Sequence, residues 1–154
     1  MASDLLSVGY EGLSIDALVS RLRIHGATVL ADVRLNAISR KQGFSKRALA
    51  AALADAGIEY LHLPQLGNPK DNRAGYGEPG TAAGDGSRDA FRATLSTPEA
   101  QDALRRISAA SESGPVAVFC YEADETCCHR QQVLDAVRLL STDSAVPELA
   151  GAQV

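Results

Sequence analysis

The sequence contains no tryptophan, and aromatic residues make up only 5% of its 154 positions. That scarcity leaves little material for a platform on which the bases of a single strand could stack. Lysine occurs only at Lys41, Lys46 and Lys70, so the cationic groups are mostly guanidinium. No apolar run approaches the ~18 residues that a membrane helix needs. The start, Met1-Ala2-Ser3-Asp4, lacks the features of a secretory signal. A soluble cytoplasmic protein that engages no membrane is expected. Cysteine is sparse as well. Three residues, two of them adjacent at Cys127 and Cys128, make no disulfide framework and predict reduced thiols. The net charge of -4 excludes a protein that coats nucleic acid with its whole surface, but it leaves room for a local basic site.

What is present suffices for one domain. With 45% hydrophobic and 22% charged residues, the chain can bury a core without cross-links. Leu5-Leu6-Ser7-Val8 reads as a strand ended by Gly9. Ser14 caps a helix with apolar Ile15, Leu18, Val19 and Leu22 at helical spacing. Thr28 to Val33 is a nearly continuous apolar run, the pattern of a strand covered on both faces. Ser45 then opens a helix running to Ala56, and Ile58 to Leu63 makes a third strand. The Gly-rich segment Gln65 to Ser87 reads as a long loop and a candidate lid. Helices follow at Asp89 to Leu95 and Pro98 to Ala110, a fourth strand at Pro115 to Cys120, and an amphipathic helix at Arg130 to Leu140.

Strands alternating with helices predict a single α/β domain over residues 1–140. Its mainly parallel sheet of four to five strands lies between helices, in a Rossmann-like three-layer arrangement. Residues 141–154 lack periodicity and read as a loosely ordered tail.

The reactive residues fall at the strand ends. Tyr10 and Glu11 follow the first strand, Asp32 and Arg34 end the second, His62 ends the third, and Cys120-Tyr121-Glu122 ends the fourth. In a parallel sheet these ends share one edge, where α/β proteins bind ligands. From Arg34 to Arg47 the chain carries Arg34, Arg40, Lys41, Lys46 and Arg47 with no acidic residue, a bias that favours phosphate or carboxylate ligands. Beyond the fourth strand, Cys128-His129-Arg130 leads into a helix whose N-terminus attracts anions and lowers a thiol pKa.

Two chemistries remain open from these residues. In one, a small phosphorylated or otherwise anionic ligand, or a nucleic-acid phosphate, is bound by Tyr10, Arg34, Ser39, Arg40, His62 and Arg130. Glu11, Asp32, Glu122 and His129 then supply acid–base groups, and Cys120 or Cys128 a nucleophile. In the other, Cys120, Cys128 and His129 surround a transition metal, with His62 or a carboxylate completing the set. A non-catalytic nucleic-acid module acting through Arg34 to Arg47 is a further alternative. The plainest reading is that carboxylates and arginines pair with one another as a structural network. A phosphatase-type loop is excluded, because the position six residues after Cys120 is Thr126 rather than arginine.

Several of these segments are also spaced as in a known family. Ser7-Val8-Gly9-Tyr10-Glu11-Gly12, Asp32-Val33-Arg34, Ser39-Arg40, Gly43-Phe44-Ser45-Lys46, Tyr60-Leu61-His62-Leu63, Cys120-Tyr121-Glu122 and Cys128-His129-Arg130 together resemble the domain-of-unknown-function 488 family. The resemblance covers about residues 5 to 140. It implies an α/β fold and a signature set of polar residues, with no settled activity.

Overall fold

Period-two alternation along the strands separates the two faces of one sheet. On strand β4 (Val116–Cys120), Val116, Val118 and Cys120 enter one core, while Ala117 and Phe119 enter the other. Strand β2 (Val29–Asp32) does the same, sending Val29 and Ala31 one way and Leu30 the other. A strand buried on both faces has no polar side to show, which explains the continuous apolar runs. With β1 (Leu5–Gly9) and β3 (Glu59–His62) the strands form an all-parallel sheet in the order β1-β4-β2-β3. The computed structural model describes residues 5–140, so the expected tail at 141–154 lies outside the described residues.

Helices cover both faces. Helix α1 (Ile15–Ile24) buries Leu18 and Leu22, and α2 (Lys46–Asp55) buries Leu49 and Leu53, against the Leu30 and Phe119 face. The opposite face receives α3 (Ala82–Leu95), α4 (Pro98–Ser111) and α5 (130–140), through Phe91, Ile107, Val133 and Val137 among others. Ser14 caps α1 by accepting from Ala17 N at 3.1 Å. Ser45 occupies the corresponding place before α2 but makes no cap bond. Its hydroxyl instead accepts from Ser39 N at 3.0 Å and donates to Ser39 O at 3.1 Å, fixing the loop that precedes the helix.

The segment read as a lid departs most from expectation. It folds into short 3-10 turns at Pro64–Leu66, Lys70–Asn72 and Ala74–Gly77, and α3 begins at Ala82 rather than beyond Ser87. Gly84 and Gly86 lower helix propensity and so masked the first turn. Thr81 nevertheless caps it, its hydroxyl accepting from Gly84 N at 3.1 Å. Gly84 is required there by close approach, since a Cβ would run into the Glu78 carbonyl oxygen. Leu66, Asn68 and Tyr76 are buried, so this segment is packed structure that walls one end of the sheet. Among the described residues no helix is long and apolar enough to cross a membrane.

The parallel sheet brings the strand ends to one edge, and the β1 and β4 ends are bonded together. Tyr10 N donates to Cys120 O at 3.1 Å and Glu11 N to Tyr121 O at 2.8 Å. Gly9 permits this closeness, because a Cβ there would overlap the Glu122 carbonyl and sit 2.9 Å from Ala123 Cα. Gly9→Ala is therefore expected to cost about 1–3 kcal/mol of stability through forced separation of these two ends, as read by urea unfolding.

Candidate functional site

At that edge lies a cleft of about 130 Å³, whose lining includes Tyr10, Arg34, Arg73, Cys120, Glu122 and His129. It is built around two buried guanidinium groups that are satisfied in different ways.

Arg34 is paired. Asp32, fully buried, accepts from Arg34 Nε at 2.9 Å, Arg34 Nη2 at 2.7 Å, Arg34 N at 3.1 Å and the Tyr60 hydroxyl at 2.6 Å. Arg34 Nη1 donates to Phe44 O at 2.6 Å. The guanidinium also lies 5.5 Å from the centre of the Tyr10 ring and 5.1 Å from that of Phe119. Tyr10 itself stacks between Phe44 and Phe119, with centroids 4.5 and 5.2 Å away. Burial and the hydrogen bond to Asp32 hold the Tyr60 hydroxyl well above the ordinary phenol range. Asp32 is thus the counter-ion that fixes Arg34 as a cleft wall, and it does not line the cleft.

Arg130 is 1% exposed and forms no ion pair among the described residues. Its Nε donates to Ser7 Oγ at 2.7 Å, and Nη1 donates to Glu122 O at 2.8 Å and to Cys120 Sγ at 2.9 Å. Its backbone N–H, the first of α5, points to Cys128 Sγ at 3.4 Å. One residue therefore donates to both sulfurs.

Cys120 and Cys128 form a disulfide in this structure, where reduced thiols were expected. Cys128 faces Cys120, and Cys127 is free at the cleft wall. The Cα atoms of the pair are 7.8 Å apart, wider than the roughly 4.4–6.8 Å usual for a disulfide.

His129 is next to them. Its Nε2 lies 2.9 Å from Val33 O, and a carbonyl only accepts, so Nε2 carries the proton. That leaves the Nδ1 lone pair facing Cys128 Sγ at 3.6 Å. Burial, with the charges of Arg73 and Arg130, pushes the imidazole pKa down to about 4. At neutral pH this histidine is a lone-pair donor, not the proton donor expected from sequence. Cys120, Cys128 and His129 present three ligand atoms within 4.8 Å of one another, all on buried residues. Glu122 Oε1 approaches Cys120 Sγ at 3.7 Å from the cleft side.

The other expected site residues are placed elsewhere. His62 Nε2 donates to Arg34 O at 2.8 Å and is not part of the cluster, so it does not complete a metal set. Glu11 Oε1 accepts from Ala123 N at 3.1 Å, Ser39 Oγ accepts from Lys41 N at 3.1 Å, and Arg40 is exposed. None of these lines the cleft. Arg73 and Tyr76 do line it, both from the segment read as a candidate lid. What the sequence did not announce is that this segment is packed in short turns against the sheet edge.

Two outcomes follow from the buried groups. Removing the Asp32 carboxylate strands Arg34 as a buried unpaired charge, so Asp32→Ala should cost about 3–5 kcal/mol in denaturant unfolding. For His129 in metal-free protein, the folded pKa lies near 4, against about 6.5 in the unfolded chain. Only the unfolded state takes up the proton between those values, so the neutral-pH stability is lost as pH falls from about 6.5 to 4, on the order of 3 kcal/mol. His129→Gln should remove that slope, and nitrogen NMR should show the Nε2–H tautomer at pH 7.

No curated protein and no solved structure matches the chain. A family model does match, over residues 14–137, described as Domain of unknown function DUF488. It takes in Asp32, Arg34, Cys120, Cys128, His129 and Arg130, together with every cleft-lining residue except Tyr10. The chain belongs to the DUF488 family.

Proposed function

We propose that this protein holds one transition-metal ion, zinc or iron(II), through Cys120 Sγ, Cys128 Sγ and His129 Nδ1, with a further coordination position open to the cleft. The observation that carries this reading is the polarity of the three donors. Both sulfurs receive N–H groups from Arg130, and Val33 O holds the imidazole with its lone pair toward them. A metal-bound histidine commonly donates its other ring nitrogen to a backbone carbonyl in this way. One of the separations already suits tetrahedral coordination, while the two sulfurs, bonded to each other here, would have to part to hold an ion. Zinc bonds of about 2.3 Å to sulfur and 2.1 Å to nitrogen imply a sulfur-to-nitrogen separation of about 3.6 Å, matching the 3.6 Å between Cys128 Sγ and His129 Nδ1.

Three protein ligands and an open position are the arrangement of a reactive centre; structural zinc sites are closed by four. Glu122 stands where it could close the site as a fourth ligand or act on a bound water. The ion would supply Lewis acidity, and the N–H groups on the sulfurs would withdraw charge from the ligands and strengthen it.

The basic loop supports a nucleic-acid module less well. Arg34 is buried against Asp32, and Lys41 Nζ donates to Tyr10 O at 3.3 Å, which leaves Arg40, Lys46 and Arg47 as its exposed cations. Metal binding requires the Cys120–Cys128 disulfide to be reduced, so the metal is assayed in protein prepared anaerobically with reductant.

Elemental analysis of such protein should find about one equivalent of metal, falling below about a tenth in Cys120→Ser and Cys128→Ser. Cobalt substitution should give intense sulfur-to-metal charge-transfer bands that both variants lose. A metal content near zero after anaerobic loading with zinc or iron would overturn the reading.

A further inference from the structure

Two arginines, Arg34 and Arg73, are among the residues lining the cleft, and only Arg34 has a carboxylate partner among the described residues. Two thiolates neutralise a divalent ion, and Asp32 neutralises Arg34. Arg73 is different. Its Nε donates to Asn68 O at 3.0 Å, and it forms no ion pair among the described residues. It lines the cleft from an exposed position at its rim.

The fold works to keep it there. Asn72 Nδ2 donates to both Asn68 Oδ1 and Ser87 O at 2.9 Å, tying the turn that carries Arg73 to α3. Gly67 and Gly75 allow the turns on either side to dock, because a Cβ at either would overlap Leu35 or Ala83. Arg34 completes the wall. Its Nε and terminal nitrogens donate to Asp32 and Phe44, which fixes the guanidinium along the cleft. Glu122 is the single carboxylate among the lining residues.

We infer that the cleft receives a small oxyanion-bearing molecule, a carboxylate or a phosphate, whose anionic group is bound by Arg73 with Arg34 while another of its atoms reaches the metal. The inference rests on the metal-centre reading and names the ligand class of that same site. Planar guanidinium forks match both anions. A cleft of about 130 Å³ is well below the ~300–1,000 Å³ that drug-sized ligands occupy, so the ligand has few heavy atoms. Neutralised metal and neutralised Arg34 supply coordination and hydrogen bonds, and Arg73 supplies the attraction that selects an anion.

Cobalt-loaded protein tests this with two probes, oxalate and inorganic phosphate, followed through the cobalt visible bands. At least one should shift the bands saturably, and which one does so assigns carboxylate or phosphate. Arg73→Ala should weaken that binding by at least about tenfold with cobalt stoichiometry unchanged. Arg73→Lys should recover part of the loss, and Arg47→Ala, on the exposed side of α2, should bind normally. A normal cobalt spectrum that neither anion perturbs, or equal binding by Arg73→Ala, overturns the inference and leaves the metal centre standing. Failure to take up cobalt at all overturns both.

Discussion

A guanidinium buried to 1% exposure without a carboxylate partner is the constraint around which this structure is arranged. Arg130 is satisfied by Ser7 of β1, by the Cys120 sulfur at the end of β4 and by the carbonyls of Glu122 and Ala123 beyond it. Taking a cation out of water costs several kcal/mol unless opposite charge accompanies it. Burial pulls the Arg130 pKa below its usual value, with Glu125, Glu122 and Asp124 acting against that. Folding this arginine into the domain therefore ties the ends of β1 and β4 to the loop beyond them.

The two faces of the sheet divide the labour. The α1 and α2 face ends in the aromatic stack of Tyr10, Phe44 and Phe119, against which Arg34 lies. The opposite face ends in Cys120, Cys128 and the helix that begins at Arg130. Asp32 and Arg34 cancel within one face, so that wall is rigid and electrically quiet. The other holds the Cys120–Cys128 pair. The cleft opens where the two meet, at the ends of the two central strands.

Much of this was legible from residue order. Apolar runs of four to six residues marked the strands because burial on both faces removes polar positions. A parallel sheet then required Asp32, Cys120 and His62 to share an edge. Sequence also showed that arginines and carboxylates might pair structurally, as Asp32 and Arg34 do. The sulfur pair was less legible. Cys120 and Cys128 are eight residues apart, and no short ligand spacing announces them. They meet because the loop after β4 returns to start α5 directly over the strand end. The tautomer of His129 was not legible, since it depends on the carbonyl of Val33, 96 residues earlier. Arg73 lay in the segment read as a lid, and glycines disguised the turns around it and the start of α3 as open loop.

One consequence concerns light rather than chemistry. Tyrosine is the chain's principal fluorophore, because tryptophan is absent and there are four tyrosines. Three of them, Tyr10, Tyr76 and Tyr121, line the cleft, and the fourth, Tyr60, is bonded to the Asp32 that braces its wall. Tyr10 and Tyr121 stand edge to face with centroids 5.2 Å apart, close enough to share excitation. The intrinsic emission of this protein therefore originates almost entirely around one small volume, and the molecule carries its own optical probe of whatever enters it.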